Sequence, residues 1–100
     1  MKVLAVGRVR EGIDPRVAIP PHARGELSAL WQLYAAGTVR EMYSPGGPGA
    51  VLVLEATSLA AAEQALAELP LVVNGIIDFE LLKLQPFAAF GTLFAPPEEP

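Results

Sequence analysis

Cysteine is absent from this 100-residue chain, and histidine occurs once. The first absence excludes a disulfide framework and any thiolate metal site; the second leaves too few imidazoles for a histidine-based one. No metal is expected. Charge is scarce too, at 18% of residues, against roughly 25% in an ordinary soluble domain. The seven lysines and arginines are scattered and outnumbered by eleven acidic residues, giving a net charge of -4. The clustered cations that a phosphate backbone requires are missing, so no nucleic acid partner is expected. No uncharged apolar run approaches the roughly 20 residues needed to cross a bilayer, which argues against a membrane partner. The N-terminal MKVLAVGRVR breaks at Arg8, short of the apolar region of a signal peptide. The expectation is a cytoplasmic protein.

What is abundant is apolar surface: 52% of residues are hydrophobic. A chain of this length forms one domain and buries roughly 65% of its unfolded surface, so the surplus points to a subunit interface. Lys2 to Val9 reads as a strand apolar on both faces, followed by a loop from Arg10 to Ile19. Pro20 and Pro21 set up a helix whose Ala23, Leu27, Leu30, Trp31 and Tyr34 follow helical spacing, with Gly37 at its C-terminal cap. Thr38 to Ser44 and Ala50 to Ala56 read as strands. Ser58 is the N-cap of a second helix carrying Leu59, Ala62, Leu66 and Leu69, which ends before Pro70. After a short LVVNG connection, Ile76 to Leu84 is the last strand.

The order β-α-β-β-α-β is the ferredoxin-like plan, an α+β fold in which the first and third strands are central. Those two are the near-continuous apolar strands, whereas the second carries Arg40, Glu41 and Tyr43 and the fourth Asp78, Glu80 and Lys83, as suits edges. Helices on one face leave the other apolar face open, and a second copy of the same sheet is its simplest cover. The glycine- and proline-rich SPGGPG, Ser44 to Gly49, lies between two strands and has no lysine, so it is a hairpin connection and not a phosphate loop.

The segment ELPLVVNGIIDFELLKLQPF, with AAGTVREMYS upstream, resembles the muconolactone Δ-isomerase-like family of dimeric α/β barrels, related to the YCII-related proteins. The likeness spans about residues 30 to 87 and rests on Leu69 to Leu71, on Asp78 and Glu80 in the last strand, and on Arg40 after the first helix. It implies a homodimer or larger homo-oligomer of ferredoxin-like subunits, a pocket between sheet and helices, and an isomerase that moves a proton in an unsaturated lactone acid without a cofactor. The YCII-related proteins are expected to pair a His with an Asp; here His22 is the sole histidine and no Asp falls on its helix.

His22, at the first turn of the first helix, is the candidate proton carrier, since the helix dipole favours its neutral form. Arg40 is the candidate partner for a substrate carboxylate, because a guanidinium pairs with it in bidentate fashion; it is read as sharing a face with Met42 and looking into the pocket. Tyr43 and Trp31 are the candidate pocket walls, although Trp31 and Tyr34 also suit a core stripe. Asp78 and Glu80 share the face away from the helices and suit subunit contacts or solvent. The domain is taken as residues 1–86, followed by an apolar, then acidic tail, 87–100. Its Phe87, Phe90 and Phe94 need cover from a neighbouring subunit or the mouth of its pocket, while the final APPEEP reads as a frayed end. The leading functional expectation is a homo-oligomer that binds a small organic acid and isomerises it; the alternative is a non-catalytic ligand-binding or structural module. A haem or quinone oxygenase is a third, weaker reading, because the lone His22 precedes the first helix.

Overall fold

Alternation along β1, Lys2–Val9, sorts its side chains onto two faces: Val3, Ala5 and Gly7 are buried, while Leu4 and Val6 point the other way and stay half-buried. The computed structural model that shows this describes residues 1–97. β3, Ala50–Glu55, does the same, burying Leu52 and Leu54 and leaving Val51 and Val53 on the opposite face. The register pairs Val3 with Leu54 and Val6 with Val51, so like faces meet. β2, Val39–Tyr43, and β4, Ile77–Leu84, flank them in the antiparallel order β2-β3-β1-β4. The apolar strands are central and the polar ones are edges, as the sequence pattern requires.

Four α-helical segments lie on one face. α1, Pro15–Ala18, is a single turn started by Asp14, whose side chain accepts from the Arg16 amide, with Pro15 at the first helical position. It occupies what reads as loop in the sequence. A 3-10 turn over Pro20–His22 leads into α2, Ala23–Ala35, and Gly37, at φ 81°, closes it. α3, Leu59–Ala67, is capped by the Ser58 hydroxyl, which accepts from the Ala61 amide. Pro70 then opens α4, Pro70–Val73, within the segment read as a plain connection. The core is Val3, Ala5, Val39, Leu52, Leu54, Ala62, Leu66 and Leu69, with Ala29, Leu30 and Leu33 of α2 packed against it. A smaller cluster of Leu71, Ile76 and Ile77 seals the end of the sheet beneath Ile13, Ala18 and Ile19.

The phase of α2 differs from the sequence expectation. Its sheet-facing side is Glu26, Ala29, Leu30 and Leu33, so Leu27, Trp31 and Tyr34 turn outward, at 67%, 64% and 46% exposure. Leu30 belongs to both stripes, which is why the spacing alone misplaced the face. The tail lies apart from the core. Residues Ala88–Leu93 form a 3-10 segment that stands off the domain, with Phe87, Phe90, Leu93 and Phe94 at 65–85% exposure. The Cα radius of gyration is 17.5 Å and the long axis 64 Å, against about 13 Å expected for a compact chain of 100 residues. Among the described residues of this subunit nothing substantial covers those phenylalanines. Of the acidic end Ala95–Pro100, residues 98–100 lie outside the described residues.

The SPGGPG connection is a turn. Ser44 Oγ accepts from the Gly46 amide, Gly46 and Gly49 have φ of 96° and 119°, and a Cβ on Gly49 would collide with the Gly7 carbonyl oxygen. Gly7 has its own constraint, because the Phe79 ring of β4 lies across it and a Cβ would sit 2.6 Å from the ring. Gly7→Leu should therefore cost about 1–3 kcal/mol through overpacking. The penalty should shrink in a Phe79→Ala background, as read by urea denaturation of the single and double variants.

Candidate functional site

Glu26 is the one buried charged residue among the described residues, at 7% exposure. Its place follows from helix phase: it lies three, four and seven residues before Ala29, Leu30 and Leu33, in the middle of the sheet-facing stripe. Glu26 Oε1 accepts from the Leu71 amide at 3.0 Å, tying α2 to the first turn of α4 across 45 residues of sequence. Burial pushes its carboxyl above the ordinary 4.5, while the Leu71 amide and the charge of His22 pull it partly back. No buried side-chain oxygen among the described residues lacks a partner, and no second hydrogen bond to Glu26 is seen among them, so its other oxygen keeps contact with solvent.

His22 stands one turn before Glu26, half-buried, where the 3-10 turn meets α2. The two feel each other's charge across this helix entry, with no hydrogen bond or ion pair between them among the described residues. Glu26 did not stand out in the sequence as a site residue, because the stripe was assigned through Leu27, Trp31 and Tyr34. The available signal was a glutamate in phase with Leu30 and Leu33.

The other sequence candidates lie elsewhere. β2 contains a bulge: Val39 pairs with Leu54 and Glu41 with Val53, leaving Arg40 as the extra residue. The bulge breaks the simple alternation expected of Arg40 and Met42. Arg40 is exposed, and its Nε donates to the Gly37 carbonyl at 2.7 Å, which fixes the guanidinium and leaves its terminal amines outward. It lines none of the clefts described here and does not look into a pocket between sheet and helices. Tyr43 lies on the helix-free face and donates its hydroxyl to Glu41 at 2.6 Å, which raises the phenol's pKa. Trp31 is an outward residue that tilts against Tyr34, with ring centroids 5.7 Å apart. His22 sits at the Val9 and Ile77 end of the sheet and Arg40 at the Lys2 end, so one subunit does not bring them together.

Asp78 and Glu80 lie on the helix-free side, each paired with an arginine: Arg10 to Asp78 at 3.0 Å and Arg8 to Glu80 at 3.1 Å. On the helix side, a cleft of about 280 Å³ between α3 and β4 is lined by Leu66, Val72, Phe79 and Leu81, with Glu63 as the charged residue that α3 contributes. A second, of about 240 Å³, separates α2 from α3. Among the described residues no group of three His, Asp or Glu side chains is placed to hold a metal ion, and no helix is long and apolar enough to cross a membrane.

No family model matches the chain, and no curated protein matches it in sequence. Solved structures do match. One is the 5-chloro-2-hydroxyhydroquinone dehydrochlorinase TftG from Burkholderia phenoliruptrix AC1100, in complex with 2,5-dihydroxybenzoquinone. It superposes with a TM-score of 0.65 at 17% identity, covering 85% of this chain and 94% of that one. Another is muconolactone isomerase, with a TM-score of 0.65 at 23% identity, covering 84% and 88%. The chain therefore has the α+β subunit fold of muconolactone isomerase, with its four-stranded antiparallel sheet.

The raised carboxyl of Glu26 has a pH signature. A group whose folded pKa is raised contributes stability below its unfolded pKa, and loses that contribution as pH rises through the folded value. The wild-type protein should thus lose stability relative to Glu26→Gln as pH climbs from about 4 to neutrality, with the variant giving the flatter profile. Urea midpoints measured across that range check this, because the glutamine keeps an oxygen for the Leu71 amide.

Proposed function

We propose that this protein is a homodimer of sheets packed face to face that binds a small unsaturated organic acid and shifts a proton on it without a cofactor. The observation that carries the proton chemistry is the His22 and Glu26 pair: a buried carboxyl raised by desolvation, one helical turn from the only imidazole. A carboxyl held in this way can take a proton from a carbon next to a carbonyl and return it elsewhere, with His22 exchanging the proton with solvent. The two structural neighbours support the class. One is named as an isomerase and the other as a dehydrochlorinase, and moving a double bond and eliminating HCl both begin by displacing a proton. A cytoplasmic setting belongs to the same reading.

The dimer rests on the helix-free face. Leu4, Val6, Val51, Val53, Leu82 and Leu84 make it apolar, with Leu82 at 50% and Leu84 at 39% exposure. A second sheet would cover this face, with an obligate interface of about 2,000 Å² or more. Sedimentation equilibrium at micromolar concentration should return twice the 10.6 kDa subunit mass. Leu82→Asp, at a position that contributes little to the subunit's own core, should move the mass toward one subunit.

A second reading is a non-catalytic acid-binding oligomer, favoured by the separation of Arg40 from His22. In that case the anchored guanidinium of Arg40 is the ligand site, and the Glu26 carboxyl serves only to hold α4. Proton exchange in D₂O, followed by NMR on small unsaturated carboxylic acids, separates the two. The enzymatic reading expects deuterium uptake that falls about 100-fold or more in both His22→Gln and Glu26→Gln. The binding reading expects no uptake, with acid affinity weakened by about 1.5–3 kcal/mol in Arg40→Ala and partly restored in Arg40→Lys. Absence of both uptake and binding would dismiss the organic acid altogether.

A further inference from the structure

Two apolar surfaces of this chain remain uncovered beside the open sheet face. The first is the arm, Phe87 to Phe94, with Phe87, Phe90, Leu93 and Phe94 exposed at 75%, 65%, 75% and 85%. The second is the outward flank of α2, where Leu27, Trp31 and Tyr34 recur at four and three residues on one side of the helix. The opposite flank of α2 looks at α3, since Ala29, Gln32 and Leu33 line the cleft between the two helices. Because α2 packs on β2 and α3 on β4, the Trp31 flank faces outward past the β2 edge. Met42, on the helix side of β2 and 40% exposed, extends the apolar surface there.

We propose that the arm of one subunit wraps the β2 edge of its dimer partner, laying Phe87 and Phe90 along that edge beside the partner's Met42 and seating Leu93 and Phe94 on the partner's Trp31 and Tyr34. This rests on the face-to-face dimer proposed above. With the twofold axis running along the strands, the order β2-β3-β1-β4 places the β4 edge of one sheet over the β2 edge of the other. The same operation keeps the ends of the two sheets in step. β4 finishes at Leu84, opposite Lys2, and this is also the end at which α2 terminates and Thr38 meets Glu55. The root of the arm thus stands above the Tyr34 end of the partner's α2.

The reach is sufficient. From sheet to sheet and on to the helix layer is about 20 Å. Residues 85–87, extended, and the six residues of the 3-10 segment span about 22 Å. The crossing therefore lays Phe87 and Phe90 along the partner's β2 edge, and it is Leu93 and Phe94 that arrive at the helix layer. In its own subunit the arm starts at the β4 edge, across the whole sheet from α2, and projects away from the domain.

Trp31 is the only tryptophan, so its emission reports the contact directly. In the full chain its emission should be that of a shielded indole, and it should shift to the red in the full-length Phe90→Ser, Phe94→Ser variant. That variant, co-refolded at equal amounts with a Trp31→Phe chain whose arm is intact, should recover part of the shielded emission, because the only sound arm then belongs to another molecule. Solvent-exposed emission in the wild-type protein overturns the proposal, as does a failure of the dark chain to restore shielding, which would put the arm on its own subunit. Sedimentation equilibrium on the same samples separates the causes. A dimer with an exposed Trp31 removes the arm contact alone, whereas a 10.6 kDa species removes the dimer beneath it and the arm contact together.

Discussion

One constraint governs this molecule: its two central strands are apolar on both faces, and the helices cover only one. On β1, Val3, Ala5 and Gly7 are sealed beneath the helices, while Leu4 and Val6 on the alternate positions are equally apolar and meet only their cross-strand neighbours. A half-buried sheet face ordinarily alternates with polar residues. Here the alternation is absent from the middle of the sheet and appears only toward its margins, at Glu41 and Tyr43 on one edge and Asp78 and Glu80 on the other. Those polar groups are already matched. Tyr43 bonds Glu41, and the two acids of β4 bond Arg8 and Arg10. A second layer could therefore close over the apolar middle with both acids of β4 already paired with arginines at its rim.

The low charge content and the uncovered tail follow from the same cause. A chain that is 52% hydrophobic holds more apolar surface than its own core absorbs, and the surplus is concentrated in three places: the open sheet face, the α2 flank and the arm. Scattered apolar residues on a surface are ordinary, but contiguous ones signal association. Trp31 and Tyr34 tilt against each other, and Phe87 meets Phe90 edge to face with centroids 5.3 Å apart. Each pair shields only a fraction of its area within the subunit.

The fold was legible in the sequence because its signals are local and redundant. Strand polarity separated centre from edge, Gly37 and Ser58 bounded the helices, and the double-glycine turn marked the hairpin. What escaped were features decided by phase or register. Leu30 fits two helical stripes, and only packing shows that the buried one runs through Glu26 and not Trp31. Arg40 sits in a bulge, and an inserted residue leaves no mark in a pattern of period two. The single-turn helices α1 and α4 are set by Asp14, Pro15 and Pro70, residues that announce a turn as readily as a helix. The candidate site was less legible than the fold for the same reason, since every candidate depends on which way one side chain points.

Fold and reaction also separate in the neighbours, which share a TM-score of 0.65 with this chain yet are named for different reactions. What a site on this scaffold needs is a group that can change protonation without unfolding its surroundings, and Glu26 meets that requirement through the geometry of its anchor. The Leu71 amide donates to one carboxyl oxygen, and a carboxyl can accept that bond whether ionised or protonated, since a proton can reside on the other oxygen. Burial raises the pKa by penalising the charged form, and in the proposed reaction His22, at the N-terminal end of the helix, would exchange the proton with solvent. A purely structural tie between α2 and α4 would be served equally well by glutamine, which presents the same oxygen to the amide without the cost of a buried charge. The ionisable group is the more expensive choice at that position, and proton transfer is the property that glutamine lacks.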